Sequence, residues 1–193
     1  MLNYRIDGDG PPLLLLHGCG ISFNIWTDLA PYLRDHFQLL TVELPGIGLS
    51  PVPPPARPYL DAAVDALDSL RDSLAIPCWS VIGYSSGSRV AEAYVQSHAD
   101  RVERAIFLCP AHTTMDKALG LRIVSVIDAH FPAMGNWVLS GRRIRFLVHL
   151  LGFNLRRNSP VDAWVDEITS QPVDILKETL RSMPDGGARR FEV

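Results

Sequence analysis

The first half of the chain switches between short unbroken apolar runs and longer stretches where apolar residues return every three or four positions. Pro12-Leu13-Leu14-Leu15-Leu16, Phe37 to Glu43, Trp79-Ser80-Val81-Ile82 and Ala105-Ile106-Phe107-Leu108-Cys109 are runs of the first kind. They predict strands buried on both faces, the habit of a parallel sheet. Leu60, Ala63, Val64, Leu67, Leu70 and Leu74 recur at helical spacing with one buried face, and further helices are expected near Trp26 to Asp35 and over Arg89 to Ser97. This alternation implies an α/β fold, a mostly parallel sheet with helices on both faces. Pro51-Val52-Pro53-Pro54-Pro55 suits neither element and reads as a stiff surface loop.

From Met115 onward the pattern is helical only: Leu119 to Phe131, Trp137 to Leu151, Asp162 to Ser170 and Val173 to Met183, broken at Pro132, Pro160 and Pro172. Trp137, Phe146, Phe153 and Trp164 are core residues of these helices or the lining of a pocket. Arg142, Arg143, Arg145, Arg156 and Arg157 make the segment locally basic. Two readings stand for them: a solvated helix face, or attraction of an acidic substrate or anionic interface. The expected division is residues 1–112 as a core and 113–193 as a helical unit.

A chain of 193 residues can bury a sizeable core. Its net charge of −3 argues against nucleic acid or an anionic membrane as main partner. The start, Met1 to Asp7, lacks the apolar stretch of a signal peptide, and no run approaches a membrane span, so a cytoplasmic chain without stable membrane anchoring is expected. Cys19, Cys78 and Cys109 stand beside apolar residues without metal-ligand spacing, which predicts free thiols in a reducing compartment. No metal or cofactor is expected. A nucleophilic Cys19 is disfavoured, since it has no basic sequence neighbour to lower its pKa.

Candidate chemistry centres on Gly83-Tyr84-Ser85-Ser86-Gly87, where the 79–82 strand hands over to a helix. A serine hydroxyl is a poor nucleophile unless exposed, aimed and deprotonated by a neighbour. G-x-S-x-G supplies the first two, because a sharp strand-to-helix turn strains the serine backbone and lifts its Oγ above the sheet. Upstream, the run to Leu16 ends in His17-Gly18-Cys19-Gly20, small residues that let a backbone N–H approach the oxyanion formed when a serine attacks a carbonyl. The next strand runs into Glu43-Leu44-Pro45-Gly46-Ile47-Gly48-Leu49-Ser50.

Together these residues resemble the α/β-hydrolase superfamily, in its cap-bearing branch. The matching pieces are the 17–20 loop with the downstream Trp26, the loop from Glu43 to Ser50, and the elbow at Ser85; they cover residues 1 to about 112 closely and the helical remainder loosely. Two positions depart from the usual pattern: Glu43 stands where Asp is more frequent, and Ser88 replaces a frequent third glycine. The resemblance implies that the 113–193 segment is a cap over the active site, excluding water and shaping the substrate pocket. It also implies a serine hydrolase acting on a carboxylic ester or related acyl bond, with a small-molecule substrate. Ser85 would attack, and the N–H groups of Cys19 and Ser86 would form the oxyanion hole. Within the same fold a serine elbow also serves carbon–carbon bond hydrolases, cofactor-free haloperoxidases and acyl transferases. Dehalogenases and epoxide hydrolases are disfavoured, since they place an aspartate where Ser85 stands.

In that family the triad acid and histidine follow the cap, on loops after the last strands. Nothing after Met183 reads as an apolar strand, so those final units are expected to be absent and the chain to have little activity alone. Among the histidines, His17 belongs to the oxyanion loop, and His98 is about three turns down the helix after Ser85. His36 is expected at the opposite edge of the sheet, and His130 and His149 lie on cap helices. His112, with Asp116 as the nearest acid, either lines the pocket or serves as a substitute base. The reading of a different class is a non-catalytic fragment or pseudoenzyme with a binding role. Its 105–109 strand would be an exposed edge inviting a homodimer.

Overall fold

The computed structural model describes residues 1–54, 57–110 and 166–181, and the chain divides into two compact units, Met1–Pro110 and Ala111–Val193. In the first unit β1 (Tyr4–Asp7), β2 (Pro12–Leu16), β3 (Gln38–Val42), β4 (Trp79–Tyr84) and β5 (Val102–Leu108) form one sheet in the order β1-β3-β2-β4-β5. β1 runs antiparallel to β3; every other pair is parallel. The chain therefore makes crossovers, and the helices that carry them cover the sheet.

Side-chain alternation sorts the strands onto two cores. Leu14, Leu16, Leu40, Val42, Trp79 and Val81 face α2 (Tyr59–Ser73) and α3 (Ser86–Ser97), which contribute Leu67, Leu70, Val90 and Tyr94. Leu13, Leu15, Leu39 and Ile82 point the other way and pack with Trp26 and the partly buried Leu29 and Leu33. Burial on both faces is the physical reason β2 is apolar at consecutive positions. Leu14, Leu15 and Leu16 are fully buried, each stabilising the fold by about 1.5–3 kcal/mol.

Asp68 ties α2 to α3 and to the start of β5: it accepts hydrogen bonds from Arg71 Nε at 3.1 Å and Tyr94 Oη at 3.0 Å, and from Arg101. Burial works against its charge, yet those three donors hold its carboxyl at about 2.

The stretch near Trp26 to Asp35 differs from the single helix its spacing predicts. It forms a 3-10 turn at Phe23–Trp26 and one α-turn, α1, at Ala30–Leu33. Pro31 within the first turn of α1 has no N–H to continue a helix arriving from Trp26. α3 starts at Ser86, earlier than its apolar pattern suggests, because apolar spacing marks only the buried part of a helix. In the second unit residues 166–170 and Val173–Arg181 are helical. The two helices expected over Leu119 to Phe131 and Trp137 to Leu151 lie outside the described residues, as do the arginines from Arg142 to Arg157. Among the described residues no helix is long and apolar enough to cross a membrane.

Candidate active site

Ser85 is the single residue between β4 and α3, and its backbone takes φ 53°, ψ −116°. A side chain in this left-handed region costs of order 1–3 kcal/mol, so the surroundings must impose it. They do so by hydrogen bonds and by close approach. The Ser85 N–H donates to the Leu108 carbonyl on β5 at 2.9 Å, and the Ser88 N–H donates to the Ser85 carbonyl at 3.1 Å. A Cβ on Gly83 would lie 2.6 Å from the Gly87 carbonyl oxygen, and one on Gly87 would lie 2.3 Å from that of His17. Only glycine fits either place. Ser88, buried, donates its hydroxyl to the Gly83 carbonyl at 2.6 Å, which gives the departure from a third glycine a structural purpose.

The 17–20 loop lies against the elbow. A Cβ on Gly18 would be 3.2 Å from the Ser85 Cβ and 3.3 Å from the Tyr84 ring, so the loop and the serine are in van der Waals contact. The loop is held from behind by His17. Its Nε2 accepts the Leu44 N–H at 2.9 Å and its Nδ1 pairs with the Gly18 carbonyl at 2.8 Å. Because an amide N–H can only donate, Nε2 carries no proton and the ring is neutral with its hydrogen on Nδ1. Burial lowers its pKa to about 4, against the smaller opposing pulls of the Gly18 carbonyl and Glu43.

Glu43 is the second anchor. It is buried, and its carboxylate accepts from Ser22 Oγ at 2.5 Å, Asn3 Nδ2 at 2.7 Å and the Leu49 N–H at 2.7 Å. Burial opposes its ionisation; the hydrogen bonds from Asn3, Ser22 and Leu49 outweigh that and hold its pKa below the ordinary value. Room for the longer glutamate comes from Gly48, where a Cβ would sit 2.1 Å from the Glu43 carboxyl. Ser50 completes the knot, its hydroxyl donating to the Glu43 carbonyl at 2.6 Å while accepting the Asn3 N–H at 2.9 Å. Sequence reasoning noted Glu43 only as a departure. A carboxylate directly after a buried apolar strand was the signal that it needed partners.

Cys19 is half-buried, and desolvation pushes its thiol up to about 12, so it is protonated at neutral pH. Among the described histidines none can take a proton from Ser85. Both nitrogens of His17 are engaged. His98 caps the far end of α3, its ring against Tyr94 at 5.1 Å. His36 precedes β3 and so lies at the opposite end of the sheet from the elbow. His112, Asp116, His130 and His149 lie outside the described residues. No group of residues suited to a metal occurs among the described ones. A groove of about 530 Å³, lined by Leu2, Pro45, Val52, Ala62 and Leu70 among others, does not include Ser85, Ser86 or Cys19.

A strained serine at a strand-to-helix turn, with a glycine-containing loop after the neighbouring strand packed against it, is the backbone geometry of a G-x-S-x-G turn. A family model for the alpha/beta hydrolase fold matches residues 11–155, and the chain belongs to that family. Its relatives include a pimeloyl-[acyl-carrier protein] methyl ester esterase of Legionella pneumophila (strain Corby), 37% identical over 84 residues that make up 42% of this chain and 34% of that protein. The chain thus matches about a third of the length of such curated relatives. An esterase from Exiguobacterium antarcticum superposes with a TM-score of 0.72 at 15% identity, covering 95% of this chain and 69% of that one. The epoxide hydrolase CorEH gives 0.75 at 21% identity, with 94% and 69% covered. At these identities the likeness shows the fold alone, and the two names illustrate how many reactions one fold hosts.

Proposed function

We propose that the chain belongs to a serine hydrolase acting on a carboxylic ester or related acyl bond. Ser85 Oγ attacks the carbonyl carbon, and the backbone N–H groups of Cys19 and Ser86 receive the negative charge that moves onto the carbonyl oxygen. The observation that supports this most is the backbone of Ser85, φ 53° and ψ −116° between β4 and α3, in contact with the loop that carries Cys19. Strain of that kind persists where it aims a reactive group. The Ser86 N–H lies at the first position of α3, where backbone donors lack partners within the helix. The relatives named pimeloyl-[acyl-carrier protein] methyl ester esterases favour a methyl ester of an acyl chain as substrate class.

Among the described residues no histidine is placed to take the proton from Ser85, and His112, four residues beyond the end of β5 in the sequence, is the substitute to test. The test is hydrolysis of p-nitrophenyl acetate and butyrate, with fluorophosphonate labelling, by the chain and by Ser85→Ala. Turnover and labelling that vanish with Ser85→Ala support the proposal. Activity indifferent to Ser85 removes it.

A second reading, a non-catalytic pairing chain, is favoured by one observation. Among the described residues β5 has a strand on one side only, and Ile106 on it is 51% exposed. Sedimentation of the purified chain would show the homodimer this reading requires.

A further inference from the structure

Ser88 grips the chain on both sides of the strained serine. Its N–H donates to the Ser85 carbonyl at 3.1 Å, and its buried hydroxyl donates to the Gly83 carbonyl at 2.6 Å. A serine hydroxyl within a helix ordinarily turns back to the carbonyl four residues earlier. Ser88 reaches five residues back instead, out of α3 and into β4. Gly83 allows this by letting the two backbones close, since a Cβ there would lie 2.6 Å from the Ser88 Cα. The same hydroxyl reaches the Leu108 carbonyl on β5 at 3.2 Å, the longer arm of a three-centre bond. That carbonyl is also the acceptor of the Ser85 N–H, at 2.9 Å. To relax Ser85 from φ 53°, ψ −116° is to turn β4 and α3 relative to each other about that residue, and the Ser88 hydroxyl is bonded across the turn.

From this we infer that Ser88 is a positioning residue of the Ser85 site, its hydroxyl being the clip that holds the nucleophile in its strained backbone conformation. The catalytic consequence rests on the Ser85 proposal; the clip itself does not. Ser88 touches no substrate and gives up no proton. Strain at Ser85 has to be imposed by its surroundings, and a hydroxyl bonded to a carbonyl on the far side of the turn imposes it directly. Without that bond the turn relaxes in a fraction of the molecules, and the rate falls with the fraction left in the reactive conformation. The side chains around the site are unchanged, so the loss falls on kcat more than on KM.

The test compares the unmodified chain with Ser88→Ala, Ser88→Gly and, as control, Ser73→Ala, which removes a 2.7 Å serine-to-carbonyl bond on α2 away from the turn. Hydrogen exchange at the Ser85 amide, the rate of fluorophosphonate labelling, p-nitrophenyl butyrate hydrolysis and Tm are measured, the first three well below every Tm. Both Ser88 variants should speed exchange at the Ser85 N–H and lower labelling and kcat roughly 5- to 100-fold, with KM nearly unchanged. Ser73→Ala should leave exchange at Ser85 and labelling as they are. Labelling and turnover at the unmodified rate in Ser88→Ala or Ser88→Gly overturn the inference. A lower Tm with unchanged exchange at Ser85 also overturns it, since the hydroxyl would then be structural only. Should the unmodified chain neither label nor turn over, the Ser85 proposal fails by itself and exchange decides the clip: faster exchange at Ser85 in Ser88→Ala keeps it, and unchanged exchange removes it.

Discussion

His17 Nε2 accepts a 2.9 Å hydrogen bond from the Leu44 N–H, joining the loop after β2 to the loop after β3 through a neutral, buried imidazole. Protonation would put a donor against a donor and a charge in the core. In the unfolded chain the same ring titrates near 6.5, whereas in the fold it does so at about 4. Between these values the unfolded state binds the proton and the folded state does not, so stability rises with pH across that window. Burial of neutral His17 thus contributes fully above pH 6.5 and is lost as pH falls toward 4, by about 3 kcal/mol. Urea melts at pH 7 and pH 4.5 should show the difference, and His17→Asn should flatten it. An equal slope in the variant would assign the effect to another group.

Asp68 acts in a lower window. Its folded pKa of about 2 lies below the unfolded value near 3.9, so its stabilisation is present above that value and lost as pH falls through 2. Asp68→Asn should leave Arg71, Tyr94 and Arg101 poorly paired, costing about 2 kcal/mol at pH 7 and little at pH 2. Equal stability of the two chains at pH 7 would contradict the network.

Glu43→Ala removes the acceptor of Asn3 Nδ2, Ser22 Oγ and the Leu49 N–H at once. A loss of about 2–4 kcal/mol is expected, seen as a fall in Tm of roughly 5–15 °C. Glu43→Gln, which keeps shape and one acceptor oxygen, should lose less than half as much. Because Ser22 fixes the end of the 17–22 loop, both variants should also slow any Ser85-dependent turnover. A normal Tm in Glu43→Ala would show that water replaces the carboxylate without cost.

Gly87→Ala sets a methyl group 2.3 Å from the His17 carbonyl oxygen and 2.5 Å from that of Leu16, backbone atoms that cannot swing aside. It should destabilise the chain by about 3 kcal/mol or more and abolish labelling at Ser85. A folded, labelled variant would mean the helix can back away from β2.

Cys19→Ala should keep turnover within about twofold, because the proposed donor is a backbone N–H and the thiol, at about 12, is protonated at neutral pH. A large loss of turnover in this variant would mean that the sulfur itself takes part.

How much of this was legible in the chain follows from the range of the forces involved. Strand runs such as Leu13 to Leu16 and the 59–73 helix declare themselves because burial on two faces, or on one, imposes a local period that any window of sequence exposes. The elbow at Ser85 is legible for a related reason: Gly83 and Gly87 are demanded by backbone contacts within a few residues or with the adjacent strand end, and no other residue type meets the demand. Membership of the alpha/beta hydrolase fold therefore stood in the motif order itself. Tertiary structure alone decided which atoms meet across the sheet. That β3 lies beside β2 brings Leu44 to His17 and Glu43 to Ser22, 27 and 21 residues apart in the chain, and makes the His17 ring a neutral strut. Leu108 reaching Ser85, Ser88 turning to Gly83, and Ser86 finding no partner depend likewise on how strand ends and the helix start are brought together. Hydrogen bonds act over about 3 Å, and only the fold brings such distant residues that close.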